Sequence, residues 1–329
     1  MKKSFASEFI STNTKKKYQL HIEEEYNGCV KKGNLTIIDG KETISIINFI
    51  PRFVQSEDYT ENFGMQWNIF KKTQIDSSNL TNLTRDRFYS GTKWDSNEIK
   101  GKKILEAGCG AGRFTEVLLE NEANLYSFDY SSAVESCYEN NASDKLCLFQ
   151  GDIYNIPFPE NYFDKVFCYG VLQHTPYPQK AFYSLLKHLK HGGKVSIDIY
   201  LKDGRIEPWK SKYIWRPITT KMNQKLLLQI LKIYIPVWLP MDTFIRRIPF
   251  FGRFLASVVP CWNYTGIING YKNLVEWAIM DTFDALAPKY DFPQTKKDVM
   301  KWFNESPYSL KDIEVFLGGN GIIGNAIKK

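Results

Sequence analysis

Three glycines at alternate positions, Gly108, Gly110 and Gly112, follow an apolar pair and an acid, Ile104-Leu105-Glu106, in the stretch KKILEAGCGAGRFTEVLLENEANLYSFDY. A strand that runs into such a loop must turn sharply. Glycine permits positive φ there and lets a ligand approach the main chain with no Cβ in the way. The helix predicted next, Phe114 to about Glu122, presents its unpaired N-terminal amides to the same place. A second short strand, Asn124 to Phe128, ends on Asp129. A carboxylate at that tip of a β-α-β unit sits beside the first loop and can accept from both hydroxyls of a ribose. The dinucleotide spacing G-x-G-x-x-G would need glycine at 113, where the chain has Arg113.

The alternation continues. Ser132 to Asn140 reads as a helix, and Leu146 to Gln150 as a strand followed by Gly151-Asp152-Ile153. Asp164 opens another strand, filled by Val166 to Tyr169. Phe182, Leu185, Leu186 and Leu189 recur at helical spacing within Tyr177 to Leu189, and a fifth strand is predicted from Lys194 to Tyr200. Strand and helix alternate from 103 to 200, as a doubly wound parallel sheet requires. Near the end, Ile313 to Leu317 and Ile322 to Ile327 flank Gly318-Gly319-Asn320-Gly321, a hairpin signature.

The order Glu106-x-Gly108-x-Gly110-x-Gly112, Asp129, Gly151-Asp152-Ile153 and IPFPENYFDKVFCYGVLQHTP closely resembles the motifs of class I S-adenosylmethionine (SAM)-dependent methyltransferases. The resemblance implies an α/β, Rossmann-like, doubly wound seven-stranded sheet with a C-terminal antiparallel hairpin and a helical cap inserted between strands five and six. It implies SAM as cofactor and S-adenosylhomocysteine as product. The glycine loop would pass under the methionine part, with Glu106 at the amino group directly or through water. Asp129 would take the ribose, and Asp152 with the Ile153 amide the adenine edge. The loop Val171 to His174 would cover the transferred methyl, with Tyr169 and Gln173 lining the pocket. Methyl transfer to a hydroxyl needs an aligned nucleophile and a proton acceptor. His174 is the best base in the sequence; a structural or cofactor-contacting role is its alternative. His188 and His191, at a helix C-terminus, read as dipole partners.

The chain has 329 residues and a net charge of +7 without a run of basic residues, so nucleic acid is not the expected partner. The six cysteines form no C-x-x-C pair and no metal constellation is visible, so no metal is expected. MKKSFASEFISTNTKKKYQL lacks an apolar signal core, and the expected location is cytoplasmic, with peripheral contact at the inner membrane as a variant. Residues 1 to about 20 read as a frayed polar arm. Asn34 to Ile38 and Thr43 to Phe49 read as a hairpin around Asp39-Gly40, and IINFIPRFV resembles the end of a zinc-ribbon-like segment whose ligand pairs are missing. Tyr59, Phe63, Gln66 and Trp67 lie in an aromatic stretch that serves either as a lid or as packing. The predicted division is 1–76 for arm, hairpin and lid, 77–204 for the cofactor core, 205–294 for the cap, and 295–329 for the last helix and hairpin.

In the insertion, prolines at 217, 236, 240, 249 and 260, with Lys232, Asp242, Arg246 and Arg247, interrupt every stretch of ~20 apolar residues that a bilayer span needs. Two or three short amphipathic helices are predicted. A lid, a dimer face and an interfacial anchor over 226–262 all fit, and Arg246, Arg247 and Arg253 beside Phe250 and Phe251 suit the last. The architecture is similar to that of bacterial cell-surface glycan and secondary-metabolite enzymes. That likeness implies O-methylation of a small molecule or saccharide precursor. A lipid or quinone acceptor, a nucleic-acid acceptor and a non-catalytic SAM-binding scaffold stay open, as does the oligomeric state.

Overall fold

The structure is a computed structural model that describes residues 1–37, 42–56, 58–202 and 212–329. Two sheets organise it. The first, near the N-terminus, has four antiparallel strands, β1 (Gln19–Tyr26), β2 (Cys29–Thr36), β3 (Thr43–Ile47) and β4 (Ile50–Pro51). The second has seven: β5 (Lys103–Ala107), β6 (Asn124–Asp129), β7 (Leu146–Gln150), β8 (Phe163–Cys168), β9 (Leu189–Tyr200), β10 (Leu310–Gly318) and β11 (Gly321–Lys328).

Across the large sheet the order is β10-β11-β9-β8-β5-β6-β7. β5 to β9 run parallel, and β11 lies antiparallel between β9 and β10. Such a sheet is buried on both faces, which is why β7 is apolar almost end to end and buried throughout. The helix Arg113–Glu120 joins β5 to β6 and turns Phe114, Val117 and Leu118 inward, the spacing that puts three side chains on one face. β5 has β6 on one side and β8 on the other, so the chain order reverses at its C-terminal end. Crevices for ligands form at such a switch point.

Two expectations need correction, and a third holds within a larger sheet. Residues 1 to 20 are not a frayed arm: Phe5, Phe9 and Tyr18 are buried in the main core, and Phe9 lies 4.9 to 5.6 Å from the rings of Phe53, Phe149 and Phe158. The expected hairpin is part of the four-stranded sheet, which joins the edge of the large one where Phe53 N donates to the Gln150 carbonyl at 2.8 Å. Its Asp39-Gly40 turn falls outside the described residues. β9 starts at Leu189 rather than Lys194, because Gly192 and Gly193 stay within the strand as a register irregularity against β8.

The insertion leaves and rejoins the core at one point: Gln294 N donates to Tyr200 O, and Lys202 N donates to Gln294 O, at 2.8 and 2.7 Å. Its first residues, 203–211, fall outside the described residues. The rest forms the helices Lys212–Thr219, Gln224–Ile245, Gly252–Ala256 and Tyr271–Leu286. The second is a single helix of 22 residues, not a set of short ones, and it keeps Pro236 and Pro240 inside. By length and composition it could cross a membrane, at about 1.5 Å per residue. Its inner face, Leu227, Leu231, Ile235 and Leu239, packs with Ala278, Phe283 and Leu286 of the last helix as a separate small core.

Candidate active site

Beyond the C-terminal ends of β5, β6 and β8 lies a cavity of about 780 Å³. It is walled by the core, by the aromatic stretch after β4, and by the cap. That size is in the range of sites for organic cofactors and drug-sized ligands.

The floor is the glycine loop. Gly108 and Gly110 line the cavity with φ of +75° and +54°, a region that side chains rarely adopt. A Cβ on Gly108 would come within 2.2 Å of the Val171 side chain, and one on Gly110 within 3.2 Å of the Trp67 indole nitrogen. The loop is thus packed between Val171 of the β8 loop and Trp67 of the aromatic stretch. Gly110 N donates to Asp129 Oδ2 at 3.0 Å. Ser131 donates twice to the other oxygen, from its amide at 2.9 Å and its hydroxyl at 2.7 Å. Asp129 is therefore held facing the loop at the tip of β6, though burial pushes its pKa up. Across the cavity edge Tyr59 stacks on Tyr130 at 5.4 Å. Ile153 supplies a buried apolar wall, and Tyr169 is fixed by a 2.8 Å hydrogen bond with Ser196.

Four residues expected on this wall stand behind it. Glu106 is buried, and one carboxylate oxygen accepts 2.6 Å hydrogen bonds from both Thr115 and Ser127. It ties β5 to the following helix and to β6, and burial pushes its pKa up to about 7. Gly112 caps the helix, and a Cβ there would strike Asn141. Asp152 closes its own turn, accepting from Tyr154 N and Asn155 Nδ2 at 2.9 Å each. Gln173 is fully buried, with no hydrogen-bond partner for its side-chain amide among the described residues. None of the four is on the cavity wall.

His174 is. Its Nδ1 lies 2.9 Å from the carbonyl oxygen of Tyr290. A carbonyl only accepts, so Nδ1 carries the proton and Nε2 of the neutral ring is an acceptor. Nε2 is buried and has no partner among the described residues. Burial holds the ring's pKa below its usual value, which keeps it neutral. Phe63 and Tyr200 pack on it at 5.1 and 5.4 Å. Of the other histidines, His188 is buried against the Pro159 carbonyl at 3.0 Å rather than placed at a solvated helix end.

Sequence reasoning missed the acids that the cap brings in. Asp281 and Asp284, one turn apart on the helix Tyr271–Leu286, both line the cavity. Asp284 accepts from Gln66 Nε2 at 3.3 Å and from the Tyr200 hydroxyl at 3.2 Å. Asp281 accepts from the Tyr264 hydroxyl and from Gln74 Nε2, and burial raises its pKa to about 7. Gln74 in turn accepts from Arg113 at 2.6 Å, so a polar relay links the glycine loop to the cap. The available signal was two acids three residues apart in an otherwise apolar helical run, WAIMDTFDALA.

Residues 105–197 match the family model described as a methyltransferase domain. The tRNA U34 carboxymethyltransferase of Sulfurovum sp. is 30% identical over 33% of this chain and 38% of its own length. The mitochondrial ubiquinone biosynthesis O-methyltransferase of Schizosaccharomyces pombe is 30% identical over 35% of this chain and 44% of its own. The chain thus spans less than half the length of these curated relatives. The solved magnesium protoporphyrin IX methyltransferase of Synechocystis PCC 6803 is similar over 84% of this chain and 89% of its own, at 12% identity and a TM-score of 0.40.

Proposed function

We propose that this chain, whose core is a class I SAM-dependent methyltransferase domain, methylates a hydroxyl of a small-molecule or saccharide-precursor acceptor held beneath the cap. SAM is the cofactor and supplies a methyl group on a sulfonium that departs as a neutral thioether. The chain's residues fit it. The bare loop at Gly108 and Gly110 gives main-chain access, and Asp129 offers carboxylate oxygens to a ribose diol.

The observation that carries the acceptor reading is that His174, Asp281 and Asp284 all line this one cavity, with His174 Nε2 buried and without a partner among the described residues. The imidazole is neutral with Nε2 as the acceptor, so a hydroxyl that reaches this buried nitrogen can give up its proton there as the oxygen attacks. The two acids can accept from hydroxyls of an acceptor, and Trp277 and Tyr264 also line the cavity. Carboxylates beside aromatic rings suit a polyhydroxylated ring, polar at its edge and apolar on its face. The named relatives are as different as a tRNA U34 carboxymethyltransferase and a ubiquinone biosynthesis O-methyltransferase, so likeness does not select the acceptor.

The test is an acceptor screen with SAM, reading S-adenosylhomocysteine release. The panel holds sugar nucleotides, hydroxylated aromatic compounds and tRNA. Turnover with a hydroxyl-bearing small molecule supports the reading. Turnover with tRNA alone, or at a nitrogen or carbon centre, contradicts it.

A further inference from the structure

The helix Gln224–Ile245 is apolar on two opposite sides. Leu227, Leu231, Ile235 and Leu239 point into the cap core. Leu226, Ile230, Ile233, Val237, Met241 and Phe244 are exposed, Ile233 to 74%. At 3.6 residues per turn these six fall within an arc of about 80°, opposite the buried stripe. A cap helix that only covered its own domain would carry polar residues there. The surface continues past the helix through Phe250, Phe251, Phe254 and Leu255, all exposed. Phe250 is 99% exposed and held at a φ of +65°, which places a bare aromatic ring at the tip of the turn. Contiguous apolar surface of this kind marks a docking site.

Its charge is one-sided. Between 212 and 262 the chain has eight lysines and arginines and one acid, Asp242. Asp242 is buried and bound by Arg246 and Asn263. Lys221, Lys225, Lys232, Arg247 and Arg253 are exposed, and none is in an ion pair among the described residues. Lys225 and Lys232 lie together on one side of the helix, about 80–100° round from the edge of the apolar stripe, and their long stems let the ammonium groups reach past it.

We propose that this face of the cap docks on an anionic lipid surface, the apolar stripe and the Phe250-Phe251 tip entering the headgroup layer and the five cations meeting lipid phosphates. Apolar faces bordered by basic residues bind at such interfaces by burial and electrostatic attraction together. A second copy of the chain is a poorer occupant. A two-fold interface would set the cations of one face against those of the same face, with no exposed acid between 212 and 262 to answer them.

The test is flotation of the full chain with vesicles of phosphatidylcholine alone and of phosphatidylcholine with phosphatidylglycerol at 3:1. Binding to the anionic vesicles should exceed binding to the neutral ones at least tenfold. Arg247→Gln with Arg253→Gln should remove most of that difference. Ile233→Glu with Val237→Glu, and separately Phe250→Glu with Phe251→Glu, should each lower anionic-vesicle binding at least tenfold. All are exposed positions, and an unchanged melting temperature checks the fold. The proposal is overturned if the wild type stays unbound with both vesicles, or if light scattering shows a dimer that the apolar substitutions dissociate.

Discussion

The Nδ1 atom of His174 lies 2.9 Å from the carbonyl oxygen of Tyr290, so a segment leaving the cap fixes the tautomer of a histidine carried by the core. Phe292 N donates to the Gln173 carbonyl at 2.9 Å, a second clamp on the same loop. The proposed base therefore takes its tautomer from a contact outside its own loop.

Because burial lowers the pKa of His174, the ring stays neutral below the ordinary histidine value of 6.5. With His174 as base, kcat should be flat from pH 8 to 6.5 and decline only at lower pH, where the folded-state ring takes a proton. His174→Ala should lower kcat roughly 10²- to 10⁴-fold, the range for loss of a positioned base, with SAM affinity retained. An undiminished kcat removes His174 from the mechanism.

Asp284 receives Gln66 and Tyr200 and faces the same cavity. Asp284→Asn should raise KM for the acceptor about tenfold or more, the effect of losing a charged hydrogen-bond partner, and leave SAM binding in place. Calorimetry with SAM and steady-state kinetics with the acceptor separate the two effects. Weakened SAM binding with an unchanged acceptor KM would assign this acid to the cofactor instead.

His188 is buried and its pKa is lowered to about 4, chiefly by burial. The unfolded chain takes up its proton near 6.5 and the folded chain near 4, so stability is fully present above 6.5 and lost as pH falls through that window. The loss is on the order of 3 kcal/mol. Chemical denaturation at pH 7 and pH 4.5 should show it, and His188→Gln should flatten the dependence.

Gly108 combines positive φ with a Val171 methyl 2.2 Å from where a Cβ would sit. Gly108→Ala should cost about 1–3 kcal/mol in thermal melting, through backbone strain and overpacking, and weaken SAM binding. Val171→Ala in the same chain should restore part of the stability and, if the loop conformation is what matters, little of the binding.

Much of the core could be read because each element announces itself locally. β7 was predicted at its observed limits, the glycine loop and the terminal hairpin carry glycines at positive φ, and Asp129 ends β6 as expected. What was missed depends on distant partners. Phe5 and Phe9 lack periodicity in a polar stretch, and only Tyr126, Phe149 and Phe158 explain their burial. Pro236 and Pro240 argued for a break, yet the helix around them continues because its Leu231–Leu239 face is packed against the helix Tyr271–Leu286. One carboxylate oxygen of Glu106 is held by the hydroxyls of Thr115 and Ser127, partners that the local sequence does not announce. Asp281 and Asp284 join the site only when the cap folds back over β9.

The most direct measurement is a calorimetric titration of SAM into the wild type and into Asp129→Ala, with NADH as control. Micromolar SAM binding, roughly 10- to 100-fold weaker in Asp129→Ala as expected for a lost charged hydrogen bond, and no heat with NADH, is the expected result. Tighter binding of NADH, or SAM binding indifferent to Asp129, would contradict the cofactor site placed between the glycine loop and the tip of β6.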